Sequence, residues 1–241
     1  MIQTPEIKIS DLKAVLSPPE LKVLSLSINN GLTSKEFAEI LKRPDLEGLD
    51  LIQSKQLKPE EYGALAKFKK LDYLEIDDCQ LNKEKLAQIS RIESLTFLRI
   101  KNEKNLGTEP MKPFVQNHSN LKTLNFKSVQ LPDEALADIA RLDHLKVLFL
   151  SATPTTDKGI ELLVANKSRV KNLSFTETQI TRSGFLKLSK LKKLEEVYLG
   201  ENKNFNRIEA EQLARTVKFK VSIEKNSTEE YQTLFDLSPH D

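Results

Sequence analysis

The chain has no tryptophan and only 6% aromatic residues, so any core it builds is aliphatic, carried by leucine and isoleucine. One cysteine, Cys79, excludes an internal disulfide and leaves the redox compartment open. Neither sign of charge dominates: 37 Lys and Arg stand against 35 Asp and Glu, a net charge of +2. Such a balance argues against a dedicated nucleic-acid binder, which usually carries a strong basic excess. The N-terminus, MIQTPEIKIS, lacks an apolar signal region, and no segment is apolar for long enough to be a membrane helix. A soluble chain is therefore expected, with the cytoplasm favoured and a secreted effector as the alternative. Motifs of catalysis are missing too. There is no phosphate-binding glycine loop, dinucleotide fingerprint, nucleophile elbow or zinc-protease histidine pair.

What remains is 39% hydrophobic and 30% charged, enough to bury a core. It is strongly periodic. The pattern L-x-x-L-x-L begins at Leu21, Leu46, Leu71, Leu95, Leu121, Leu145, Val170 and Leu194, at steps of 24 to 26 residues. The matching strings are LKVLSL, LEGLDL, LDYLEI, LTFLRI, LKTLNF, LKVLFL, VKNLSF and LEEVYL. Alternation within each predicts a short strand with its leucines facing one way. The second half of each copy has helical spacing, as in Phe37, Ile40 and Leu41, or Ile160 and Leu163. Thr33 with Glu36 and Asn206 with Glu209 have capping-box spacing, and Pro59 fits a first helical position. One strand, a turn and one helix cannot bury an apolar face alone, so neighbouring copies must stack.

This pattern resembles the leucine-rich repeat family over roughly residues 21–218. The stretches LSFTETQITRSGFLKLSKLKKL and SATPTTDKGIELL are similar to its bacterial and cysteine-containing-type repeats, with a T-x-I-T-D-x-G-L-x-x-L signature. The resemblance implies an α/β fold: a right-handed horseshoe solenoid with a parallel sheet on the concave face and helices on the convex face. The family's ladder position holds Asn29, Ser54, Cys79, Glu103, Val129, Thr153, Thr178 and Asn202. Glu103 and Val129 are expected to fail in that part. A single domain over 1–241 follows, with residues 1–20 as an N-terminal cap, 21–218 as eight repeats, and 219–241 as a C-terminal cap of a strand and a helix. Ile7 and Ile9 alternate before a short helix bearing Leu12, Val15 and Leu16. At the other end Phe219, Val221 and Ile223 alternate before a helix bearing Tyr231, Leu234 and Phe235.

Residues beside the inward leucines point to the concave surface. The central column reads Ser25, Asp50, Glu75, Arg99, Asn125, Phe149, Ser174, Tyr198. Repeats two and three are acidic there through Asp50, Glu75 and Asp77. Repeats four and five are basic through Arg99, Lys101, Lys122 and Lys127, and at the junction Glu75 faces Arg99 while Asp77 faces Lys101. A third zone is apolar, with Val147, Phe149 and Tyr198, and Tyr73 with Phe97 form a separate pair. Exposed aromatics amid polar groups would be interface anchors, and the charges would set complementarity. Basic residues at helix ends and acids at helix starts are what the helix dipole favours, so they need no ligand. His118, His144 and His240 do not fall in register and read as solvated loop residues, and Cys79 reads as packing. The expectation is a monomeric, non-enzymatic module that binds a protein or peptide through the concave face, with no nucleic acid, membrane, cofactor or metal. Two alternatives are the recognition part of a larger enzyme or bacterial effector, such as a ubiquitin-ligase-type assembly, and a purely structural scaffold.

Overall fold

Each L-x-x-L-x-L string forms one strand. A computed structural model describes residues 9–26, 31–117, 119–200, 202–204 and 206–223. The strands are β1 Val23–Ser25, β2 Gly48–Ile52, β3 Tyr73–Asp77, β4 Phe97–Lys101, β5 Thr123–Lys127, β6 Val147–Ser151, β7 Asn172–Thr176, β8 Glu196–Leu199 and β9 Lys220–Ile223. They make one parallel sheet in strict chain order, β1 to β9. Register follows the repeat: Leu49 pairs with Leu74, Leu98 with Leu124, and Leu148 with Leu173. Parallel strands need a crossover, and each return here includes one short helix, while a further helix precedes the first strand. Those helices are α1 Ile9–Leu16, α2 Ser34–Ile40, α3 Pro59–Ala64, α4 Lys83–Ile89, α5 Lys112–Gln116, α6 Ala135–Ile139, α7 Asp157–Ala165, α8 Arg182–Lys187 and α9 Arg207–Ala214.

The core is one leucine-rich layer between sheet and helices. Leu49, Leu51, Leu74, Ile76, Leu98, Ile100 and Leu124 from the strands are fully buried against Phe37, Leu86, Ile89, Leu136 and Ile160 from the helices. Helix starts use the expected chemistry. The Thr33 amide donates to Glu36 and the Asn206 amide to Glu209, both at 2.7 Å, and Pro59 opens α3. The T-D-x-G signature has a physical basis as well. Asp133 accepts from the Thr156 amide at 3.0 Å, and Asp157 accepts from the Thr181 amide at 2.8 Å, so in these two places one repeat caps the next one's helix. Gly184 makes room for this, because a Cβ there would lie 2.1 Å from the Asp157 carboxylate.

The first residue after each of β2 to β7 is left-handed: Gln53, Asp78, Asn102, Ser128, Ala152 and Glu177, with Gln80 a second such residue after β3. The amides of the first five bond to the next repeat, for example Gln53 to the Asp77 carbonyl at 2.7 Å. The ladder side chains follow. Ser54 accepts from the Leu32 amide, and the Cys79 thiol donates to the Leu51 carbonyl.

Two expectations need correcting. Glu103 does serve in the ladder: its carboxylate, 2% exposed, accepts from the Cys79 amide at 2.6 Å and the Leu81 amide at 2.8 Å. A carboxylate reaches two donors where an asparagine oxygen would reach one. Ile9 does not extend a strand but opens α1, which packs beside α2 and buries Leu12 and Leu16 while Val15 stays exposed. At the other end β9 pairs with β8 as the alternation of Phe219, Val221 and Ile223 implies. The expected C-terminal helix, Ile7 and Asn29 lie outside the described residues.

Candidate functional site

On the concave face the repeat pattern leaves side-chain choice free, since its columns lie between the inward leucines. The register aligns Asp50, Glu75, Arg99, Asn125, Phe149, Ser174 and Tyr198, one per strand and about 4.8 Å apart. Along the next outward column run Ile52, Asp77, Lys101, Lys127 and Ser151.

Opposite charges meet at the centre. Glu75 accepts from Arg99 at 3.1 Å, from Lys101 at 2.9 Å and from the Tyr73 hydroxyl at 3.0 Å. Lys101 also pairs with Asp77 at 3.0 Å, and Asn102 donates to Asp77 at 2.6 Å. Burial works to lower the Lys101 pKa, but hydrogen bonds to Glu75 and Asp77 outweigh it and hold the ammonium above its ordinary value. Asp50 sits at the acidic end with one carboxylate oxygen buried and unpartnered among the described residues. Burial, opposed by a hydrogen bond to Ser25 and reinforced by the Glu75 charge, raises its pKa. The centre of this face is thus a self-neutralised network. Such half-buried pairs fix neighbouring strands, and only the outer charges stay available to steer a partner.

The aromatic residues are placed differently from the expectation. Phe149 is 3% exposed, Tyr198 5%, Phe97 5% and Tyr73 9%, so none of them stands free as an anchor. Ser174 is the reason in the third zone. It is too short to hold its neighbours apart, and Val147, Phe149 and Tyr198 close into their own buried cluster beside it. Strand β6 is buried at all five positions, on both faces. Tyr73 and Phe97 pack at 5.0 Å between ring centroids, with the Arg99 guanidinium 5.7 Å from the Phe97 ring. Alternation predicts which face a ring is on, and neighbours decide whether it is covered.

Among the described residues no group of His, Cys, Asp and Glu could hold a metal ion. Cys79 is fully buried, and burial is the main cause that pushes its thiol up to about 11, so it is protonated at neutral pH. His144 is exposed, while His118 and His240 lie outside the described residues. No described helix is long and apolar enough to cross a membrane.

A second feature lies at the edge where return loops enter the strands. Lys122, Lys146 and Lys171 occupy the same repeat position in three consecutive copies, just before the paired residues Thr123, Val147 and Asn172. With His144, Arg169 and Lys193 they line a groove of about 310 Å³ that contains one acid, Asp143. The signal was the second letter of LKTLNF, LKVLFL and VKNLSF, which sorting by concave column alone passes over for two of the three lysines.

No family model matches this sequence, and no curated protein matches it. Solved structures do. The chain superposes on TLR13, solved in complex with the single-stranded RNA ssRNA13, with a TM-score of 0.54 and 20% identity, over 94% of this chain and 32% of that one. An internalin, InlF of Listeria monocytogenes, matches with a TM-score of 0.39 and 13% identity, over 79% of this chain and 71% of that one. An ordered parallel sheet backed by one helix per repeat defines the class, a stacked α/β solenoid. Within that class the chain has a leucine-rich-repeat-type fold, and it spans 32% of the TLR13 chain's length. One expectation falls here. A near-balanced charge does not exclude nucleic acid, since TLR13, which shares this fold, is solved with RNA. Net charge sums over the whole surface, whereas binding is decided locally, and the +2 total conceals the basic groove.

Proposed function

We propose that this chain is a non-enzymatic binding module that holds a protein or peptide partner in its concave face. The observation that carries this reading is the column geometry: a sheet of nine in-register strands presents side chains that the repeat does not require, at a spacing suited to an extended surface. Asp50, Glu75, Asp77, Arg99, Lys101 and Lys127 supply the charge pattern. Tyr73 with Phe97, and Val147 with Phe149 and Tyr198, form packed groups beside it on the same face, which keep the surface rigid and lower the entropy lost on binding.

Affinity capture from cell extract tests this, with the wild type compared with Asn125→Arg/Lys127→Glu on the concave face and Lys83→Glu/Glu84→Lys on a convex helix. A polypeptide retained by the wild type and the convex variant but lost by the concave variant supports the reading. Loss in neither variant, or in the convex one alone, overturns it. The capture is run with and without nuclease because TLR13 is solved with RNA.

A further inference from the structure

We propose that the strand-entry edge of repeats five to seven is a docking site for an acidic polypeptide segment, held by the ladder Lys122, Lys146 and Lys171. This surface differs from the concave floor, and either assignment can fail without the other.

The scaffold gives no reason for the ladder. The same repeat position holds Lys22, Glu47, Asp72 and Thr96 before it and Glu195 after it, so the fold accepts any polar residue there. The helix dipole, which accounts for basic residues at helix ends, does not reach residues that open strands. Strand pairing itself disfavours the arrangement, because it sets three like charges about 4.8 Å apart in register. Lys122 and Lys146 are exposed and have no acidic partner among the described residues. Lys171 pairs with Glu195 at 2.5 Å, but both side chains are open to water, so an incoming carboxylate can replace that partner. Across the groove Arg169 and Lys193 add to the same field, and the only lining acid, Asp143, lies 3.7 Å from Arg169. A run of cations around a concavity, with Lys122 and Lys146 lacking an acidic partner among the described residues and Arg169 and Lys171 paired only in open water, fits an anionic ligand.

Geometry narrows the ligand. From Lys122 to Lys171 the ladder spans two inter-strand steps, about 10 Å, which is the reach of roughly three residues of extended chain. Two or three carboxylates within four residues would meet it. A longer polyanion would run beyond Thr96 towards Asp72 at one end and onto Glu195 and Glu196 at the other, where like charge repels it. Nucleic acid would gain at most one stacking face here, the His144 ring, because no Phe, Tyr or Trp lines the groove. A short acidic polypeptide segment satisfies both limits.

The test is fluorescence anisotropy with fluorescein-labelled hexaglutamate at low salt, using the full chain. The variant is Lys122→Glu/Lys146→Glu, and the control is Lys69→Glu/Lys70→Glu, which makes the same change in net charge at another repeat. Thermal melting confirms that each folds, and Lys122→Ala/Lys146→Ala replaces the reversal variant if it does not. Expected are salt-sensitive binding by the wild type, about tenfold weaker binding by the ladder variant, and little change in the control. Equal binding by all three, or no binding by the wild type, overturns the site. Tighter binding of a 20-residue oligothymidylate than of hexaglutamate, lost in the same variant, would assign the groove to nucleic acid and overturn the polypeptide assignment.

Discussion

Replacing Glu103 by alanine should destabilise the solenoid by about 2–4 kcal/mol. The carboxylate is buried at the middle of the turn ladder and accepts from the Cys79 and Leu81 amides at 2.6 and 2.8 Å. A hydrogen bond to a charged group contributes about 1.5–3 kcal/mol, so two give roughly 3–6 kcal/mol. Part of that is offset, because burial raises the Glu103 pKa, which means its charged form is held at a cost. Glu103→Gln keeps one acceptor oxygen and sets an NH2 group against the other amide, so it should lose about half as much. Urea unfolding followed by circular dichroism measures both. The sign with pH is fixed by the raised pKa. Wild type should gain stability relative to Glu103→Gln as pH falls through the native pKa towards the ordinary carboxylate value, and lose it again as pH rises. An alanine variant within 0.5 kcal/mol of wild type, taking the surface-substitution range as the measure, would refute the ladder role. So would a glutamine variant as damaged as alanine.

Four further outcomes are expected. Phe149→Ala should cost about 3 kcal/mol in the same assay, because the ring is buried in its own cluster; a change below 1 kcal/mol would show the ring to be open surface. Ala152→Gly should stabilise by about 0.5–1 kcal/mol by relieving a left-handed residue, the reverse of the usual effect of glycine in regular structure. Gly184→Ala should destabilise by about 1–3 kcal/mol although alanine favours helices, because the added Cβ meets the Asp157 carboxylate that caps the next helix; urea midpoints decide the sign. The Cys79 thiol should resist a disulfide reagent at neutral pH until urea unfolds the chain, and rapid labelling of the native protein would contradict its burial.

Much of this fold is legible in the sequence because one physical problem is solved repeatedly. A leucine error in one copy is outvoted by seven others, so strand positions, register and the concave columns follow from alignment alone. Lateral pairs such as Glu75 with Arg99 follow too, since register fixes which residues are neighbours. What the sequence does not show is the outcome at individual positions. Glu103 departs from the usual ladder residues, yet a carboxylate accepts hydrogen bonds as well as an amide oxygen does. Alternation puts Phe149 on the right face but says nothing of its cover, because coverage depends on Ser174 and Tyr198 in other repeats. The lysine ladder was visible letter by letter and hidden by the net charge, which cancels one edge of the molecule against another.

A photo-crosslinking amino acid placed at Asn125, half-buried at the middle of the concave column, tests the binding role most directly when compared with the same group at Glu84, exposed on a convex helix. Irradiation in cell extract should give a discrete adduct from Asn125 that protease digests and nuclease does not, and none from Glu84. Adducts from Glu84 alone, or an Asn125 adduct removed by nuclease, would contradict a concave-face module for a polypeptide partner.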